Sequence, residues 1–188
     1  MLPVMSTPSR PHDLVRPLLQ TRQVREFTDE PPTDAQLEAI TDVARWSGSS
    51  TNEQPWRFIV VRDRATVAAL RELAMPSTRA LTTATAALVV TVPAERERQV
   101  GRAYDEGRAA ERMLIAAGLL GLGAGIVWLW PKVREAARTM LGVPEDRMVR
   151  TIIAIGHPSA AASRPKSAPG EARLPRGQTV FEERWPAD

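Results

Sequence analysis

Residues 49–56 read Ser-Ser-Thr-Asn-Glu-Gln-Pro-Trp and lie between an amphipathic stretch and the apolar run Phe58-Ile59-Val60-Val61. A loop of hydroxyls and amides, closed by Pro-Trp and wedged between two core elements, is costly to keep unless its side chains bind something. Working upstream, Thr33 and Gln36 form a capping-box pattern that opens a helix. Leu37, Ile40, Val43 and Ala44 supply its apolar stripe. The helix is predicted to end near Trp46-Ser47-Gly48, with the glycine in the left-handed terminating conformation. Downstream, 56–61 reads as a strand buried on both faces. Asp63 then caps a helix to about residue 73, and 87–92 is a second apolar strand stopped by Pro93.

The remaining chain alternates in the same way. Residues 13–21 look helical but are limited by Pro17, and 24–28 are predicted extended. The longest helix is expected over about 95–120, with Ala109, Ala110, Met113, Leu114, Ala117 and Leu120 on one side and its last turns apolar all round. Residues 113–130 carry no charge and approach the length of a membrane span. Glycines at 118, 121, 123 and 125 break the stretch, however, so it reads as a buried helix, a glycine turn and a buried strand over 126–129. Pro131 suits the first position of the next helix, which Gly142 and Pro144 terminate. A fourth strand is expected over 149–155. This order of elements is an α+β pattern.

The 188 residues suit one domain. Residues 1–12 are expected to form a flexible N-terminal arm and 157–188 an extended C-terminal arm. The latter is rich in Pro, Ala, Ser and Arg, yet Val180, Phe181 and Trp185 would be out of place in free solvent. Wrapping a partner subunit would bury them.

Composition removes several chemistries. With no Cys, disulfides, thiolate metal sites and cysteine nucleophiles are excluded. The two histidines, His12 and His157, lie near opposite ends, where nothing supports a zinc pair or a catalytic triad. No catalytic side chain is assigned; so sparse a set points to chemistry carried by a cofactor. The pI near 10.1 suggests nucleic acid, but the net charge is only +3, and the basic residues, nearly all Arg, are scattered among 22 acidic ones. A solvated surface is the better reading. Met1 to Arg10 lack the apolar core of a secretory signal.

Further candidates carry charge or glycine. In Arg22-Gln23-Val24-Arg25-Glu26-Phe27, alternation puts Gln23 and Arg25 on one side of an extended segment, and neighbouring guanidiniums suit an anion. Gly121-Leu122-Gly123-Ala124-Gly125 lacks the G-x-G-x-x-G spacing and runs from helix to strand, so it is no dinucleotide fingerprint. Arg164, Lys166, Arg173 and Arg176 stand among prolines near the C-terminus.

Helix, Ser-Ser-x-Asn-x-Gln-Pro-Trp loop and strand together resemble the FMN-dependent nitroreductase family. The resemblance spans about residues 13–185. It implies a central, mostly antiparallel sheet flanked by helices in an intertwined homodimer with exchanged C-terminal arms. It further implies that Arg22, Gln23 and Arg25 bind the FMN phosphate, ribityl chain and pyrimidine edge, with Gln23 in place of the family's usual Ser. Ser49, Ser50, Asn52 and Gln54 would approach a flavin bound mainly by the other subunit. A main-chain N–H in the stretch containing Trp128 and Leu129 would face the flavin edge, Trp128 standing where the family often has an acidic residue. Arg173, with Lys166 or Arg164 as a second cation, would close over the phosphate. The implied activity is NAD(P)H-dependent reduction of nitroaromatic, quinone or similar small-molecule acceptors by a cytoplasmic enzyme without nucleic-acid or membrane partners. Relatives of this fold also dehalogenate, oxidise rings or fragment flavin, and a flavin-free protein that binds nucleic acid or another partner is the alternative of a different class.

Overall fold

A computed structural model describes residues 10–73, 75–164, 167 and 173–186. Five α-helices (α1 Pro11–Gln20, α2 Asp34–Arg45, α3 Arg64–Glu72, α4 Gln99–Leu119, α5 Pro131–Met140) accompany four strands (β1 Arg57–Val61, β2 Ala86–Pro93, β3 Gly123–Trp128, β4 Arg147–Gly156). The strands form one sheet in the order β1-β2-β4-β3, and every pairing is antiparallel. The α+β expectation holds.

Each face of the sheet carries its own apolar layer. On one side Leu88, Val90 and Ile153 pack with Leu37, Ile40 and Met113 of α2 and α4. On the other, Val89, Ile152 and Val127 pack with Val67, Leu70 and Ala137 of α3 and α5. The strict alternation along β2 follows from the two-residue period of a strand.

Local signals work as read. Thr33 and Gln36 make the reciprocal capping box on α2, Asp63 accepts from the Thr66 N–H at the start of α3, and Pro131 opens α5. Gly142 takes a left-handed φ of 64° just beyond α5.

Several expectations are corrected. β1 is an edge strand with only β2 beside it, so most of it is half-buried instead of enclosed on both faces. Val43 is 40% exposed, leaving Leu37, Ile40 and Ala44 as the buried stripe of α2. Gly48 is not left-handed; the positive φ values fall later, at Thr51, Asn52 and Gln54. The long helix begins at Gln99 after a short 3-10 turn over Arg96–Arg98. Leu119 and Leu120 project outward, and Arg102, Asp105 and Glu106 are buried instead.

Gly123 and Gly125 belong to β3, not to a turn. A Cβ at Gly125 would lie 2.3 Å from the Val24 carbonyl oxygen, and one at Gly123 would lie 2.7 Å from the Val24 side chain. These glycines let the 22–27 segment lie flat against β3. Val24 N–H donates to Ala124 O at 2.8 Å, which closes that edge of the sheet over part of its length.

Candidate functional site

The loop at 49–56 holds three of the four positive-φ non-glycine residues among those described. Thr51 (φ 48°), Asn52 (φ 57°) and Gln54 (φ 50°) are all left-handed without being glycine. Each such residue costs about 1 kcal/mol or more and persists only where its surroundings enforce it. Here they do. The Ser50 N–H donates to both oxygens of the buried Asp105 carboxylate, at 3.2 and 3.3 Å. Ser49 Oγ accepts from the Gln54 N–H at 2.8 Å. Arg57 donates to the Gln54 and Trp56 carbonyls, and Arg147 donates to that of Pro55 at 2.8 Å.

Glu53 ties the loop to the start of α4 through ion pairs with Arg98 and Arg102. The hydrogen bond from Arg98, together with the charge of Arg102, holds its carboxyl below the ordinary carboxylate range. Trp56 is 3% exposed and packs in the core. Backbone groups are thus turned inward, and the residues from Ser50 to Gln54 face solvent. A rigid polar edge is presented outward.

A second feature lies along the extended segment. Arg22, Gln23, Arg25 and Glu26 line a cavity of about 480 Å³ together with Arg79, Thr82 and Thr83. Three arginines and one acidic residue, Glu26, thus line it, and the Glu26 carboxylate already accepts from Ser159 Oγ at 2.7 Å. Gln23 Oε1 accepts from Arg25 Nη2 and from the Ile126 N–H, both at 3.2 Å, which links the cavity wall to β3. Arg22 donates to the Arg164 carbonyl at 3.4 Å, so Arg164 contributes its backbone there. The sequence does not single out Arg79, which stands in the irregular stretch before β2 where no periodicity marks it.

At the end of β3 the main chain keeps one face open. Ala124 O and the Ile126 N–H both point toward the 22–27 segment, and alternation places the Trp128 N–H on that same edge. Leu129 is fully buried, and its N–H donates to Arg150 O at 2.8 Å. The Trp128 ring is 45% exposed, with the guanidiniums of Arg150 and Arg134 at 5.2 and 5.5 Å. Arg150 is buried against Glu106 Oε2, its Nε at 2.8 Å. Burial pushes the Glu106 carboxyl above the ordinary range despite Arg150.

The structure brings Arg22, Gln23 and Arg25 together, and separately Ser49, Ser50, Asn52 and Gln54. Among the described residues, the cavity takes none of its wall from the 49–54 loop. Arg173 is exposed on the C-terminal arm, and Lys166 lies outside the described residues. No helix among those described is long and apolar enough to cross a membrane.

This geometry can be set beside known proteins. The nitroreductase family model matches residues 18–92. An Archaeoglobus fulgidus protein with the provisional name NADH dehydrogenase/NAD(P)H nitroreductase is 36% identical over 143 residues, covering 73% of this chain and 80% of its own. The chain belongs to the nitroreductase family. Solved members share the architecture. NfrA2 of B. megaterium superposes with a TM-score of 0.79 at 26% identity, over 93% of this chain and 75% of the other. An FMN-dependent nitroreductase of Clostridium difficile R20291 has a TM-score of 0.74 at 23% identity, over 88% of this chain and 97% of the other. For this nitroreductase-family chain, the matched span runs from α1 through β2 and so contains Arg22–Arg25 and the strained loop.

Proposed function

We propose that this chain is an FMN-dependent oxidoreductase that works as a homodimer, draws hydride from NADH or NADPH, and reduces electron-poor acceptors such as nitroaromatics and quinones. One observation carries the proposal: a cavity lined by Arg22, Arg25 and Arg79 with a single acidic residue, Glu26, whose carboxylate is already engaged by Ser159. Such an excess of planar donors suits a dianionic phosphate, and Thr82 and Thr83 add hydroxyls for a polyol chain. The residues therefore fit FMN.

The redox chemistry, transfer of hydride from nicotinamide to acceptor, would be supplied by the bound FMN. The protein's residues bind and orient. Arg22 would serve the phosphate, and the family resemblance adds Arg173 and Lys166 as further cations for it. Arg25, steadied by Gln23, would hold a cation against a bound flavin and so favour its anionic reduced form. The Trp128 N–H is the open-edge donor for the reactive side of the ring, and Leu129 anchors the strand behind it. No side-chain acid or base is assigned.

Ser49, Ser50, Asn52 and Gln54 are assigned to the partner's site. The separation of loop and cavity within one protomer supports this. So does apolar surface that a partner would cover: Leu14 and Leu19 on α1 are 71% and 70% exposed, and Trp185, edge-on to Phe181, is 77% exposed. We place the enzyme in the cytoplasm, where the nicotinamide co-substrate is available.

The test is spectroscopic. Purified protein incubated with FMN and desalted retains a yellow chromophore that NADH or NADPH bleaches without air. Protein that stays colourless after excess FMN overturns the reading.

A further inference from the structure

Two guanidiniums lie against the half-exposed indole of Trp128, and among the described residues only that of Arg150 is in an ion pair. Arg150 is paired with the buried Glu106. Arg134 donates its Nε to the Leu129 carbonyl at 3.0 Å, and among the described residues no carboxylate ion-pairs with it. Burial, and then the charge of Arg150, lower its pKa from the ordinary value against the smaller opposing pull of Glu106, so on balance the cation sits where its surroundings disfavour it. An arriving anion would offset that cost. The exposed part of the indole beside it offers apolar contact to a flat ring.

We propose that Trp128 and Arg134 form an acceptor subsite selective for planar aromatic compounds that bear a carboxylate or sulfonate. This deepens the proposed function and rests on it, because Trp128 carries the open-edge N–H assigned to the flavin. A neutral aromatic engages the indole alone, whereas an aromatic anion engages indole and guanidinium together. Arg134 is thereby a specificity-determining residue. The carbonyl of Leu129 holds its Nε, leaving the terminal nitrogens for a bidentate contact.

The experiment uses the FMN-loaded full chain, with 4-nitrobenzoate and its methyl ester as probes. Wild type is expected to favour the carboxylate at least tenfold in kcat/KM. Arg134→Gln brings that ratio to about one, and Arg134→Lys retains an intermediate preference. A second readout needs no turnover. In the absence of reductant, 4-nitrobenzoate quenches tryptophan fluorescence saturably; Trp128→Phe removes most of the quenching, and Arg134→Gln weakens the binding about tenfold. Equal binding of acid and ester, or wild-type quenching in Arg134→Gln, overturns the proposal. So does an Arg134→Gln defect larger for NAD(P)H than for 4-nitrobenzoate, since the charge would then serve the dinucleotide. A yellow protein bleached by NADH but lacking the preference defeats this inference alone. A colourless protein defeats the flavin reading and the acceptor role with it.

Discussion

Asp105, in the second turn of α4, accepts the Ser50 N–H on both carboxylate oxygens, at 3.2 and 3.3 Å. A buried carboxylate on the central helix therefore sets the shape of a loop whose exposed side chains are assigned to the flavin. Asp105→Asn replaces an acceptor with a group that can offer only one oxygen, and the charge is lost. The left-handed conformations of Thr51, Asn52 and Gln54 then lose their main restraint. FMN affinity is expected to fall about tenfold, about 1.4 kcal/mol, with little change in melting temperature. Flavin fluorescence titration beside a thermal melt separates the two effects.

Gln23 joins the cavity to β3 through one oxygen that receives both Arg25 and the Ile126 N–H. Gln23→Ala frees Arg25 and leaves that N–H to water. The net worth of one such hydrogen bond is about 1 kcal/mol, so stability should drop by that order while FMN binding weakens further through the loss of a fixed Arg25. Gln23→Ser, too short to reach both partners, should fall between wild type and Gln23→Ala in the same titration.

The close approach of Val24 to Gly125 makes a sharp stability prediction. In Gly125→Ala the new Cβ would stand 2.3 Å from the backbone oxygen of Val24, which no rotamer change relieves. Overpacking of this kind costs about 1–3 kcal/mol, or a few degrees of melting temperature for each kcal/mol in a chain this long. Gly118→Ala, where a Cβ meets nothing, is the control and should be neutral or slightly stabilising in its helix.

Glu106 and Arg150 should respond to pH in a defined direction. Burial raises the folded-state pKa of Glu106, so the folded protein holds this proton more tightly than the unfolded chain. Its contribution is therefore greatest at low pH and declines as pH rises from the unfolded carboxylate pKa through the raised folded value. Removing the partner in Arg150→Met strips away the opposing attraction, deepens the decline, and costs about 3–5 kcal/mol at neutral pH. The double variant Glu106→Leu/Arg150→Met should recover most of that loss. Denaturant unfolding at pH 5 and pH 8 checks both statements.

Much of this architecture was legible in the chain because its signals are local. The Thr33–Gln36 box, Asp63, Pro131 and Gly142 act within one turn of themselves, and the Ser49–Trp56 stretch declared a loop by its own residue types. What escaped depends on partners distant in sequence. Phe58 to Val61 look like an enclosed strand, but only sheet order reveals that β1 has one neighbour. Gly123 and Gly125 look like a turn until Val24 is laid against them. Nothing local marks Arg102, Asp105 and Glu106 as buried; each is so because Glu53, the Ser50 N–H and Arg150 come to meet them. Arg79 had no periodic context at all, and only the folded chain brings it to Arg22 and Arg25.

The central claim is a flavin site completed by two copies of the chain. Size-exclusion chromatography with light scattering, reading absorbance at the flavin band on the same peak, tests it in one run. The account predicts a peak at twice the chain mass of 20.7 kDa with one FMN per chain. A yellow peak at the mass of a single chain, or a colourless dimer after incubation with excess FMN, would contradict it.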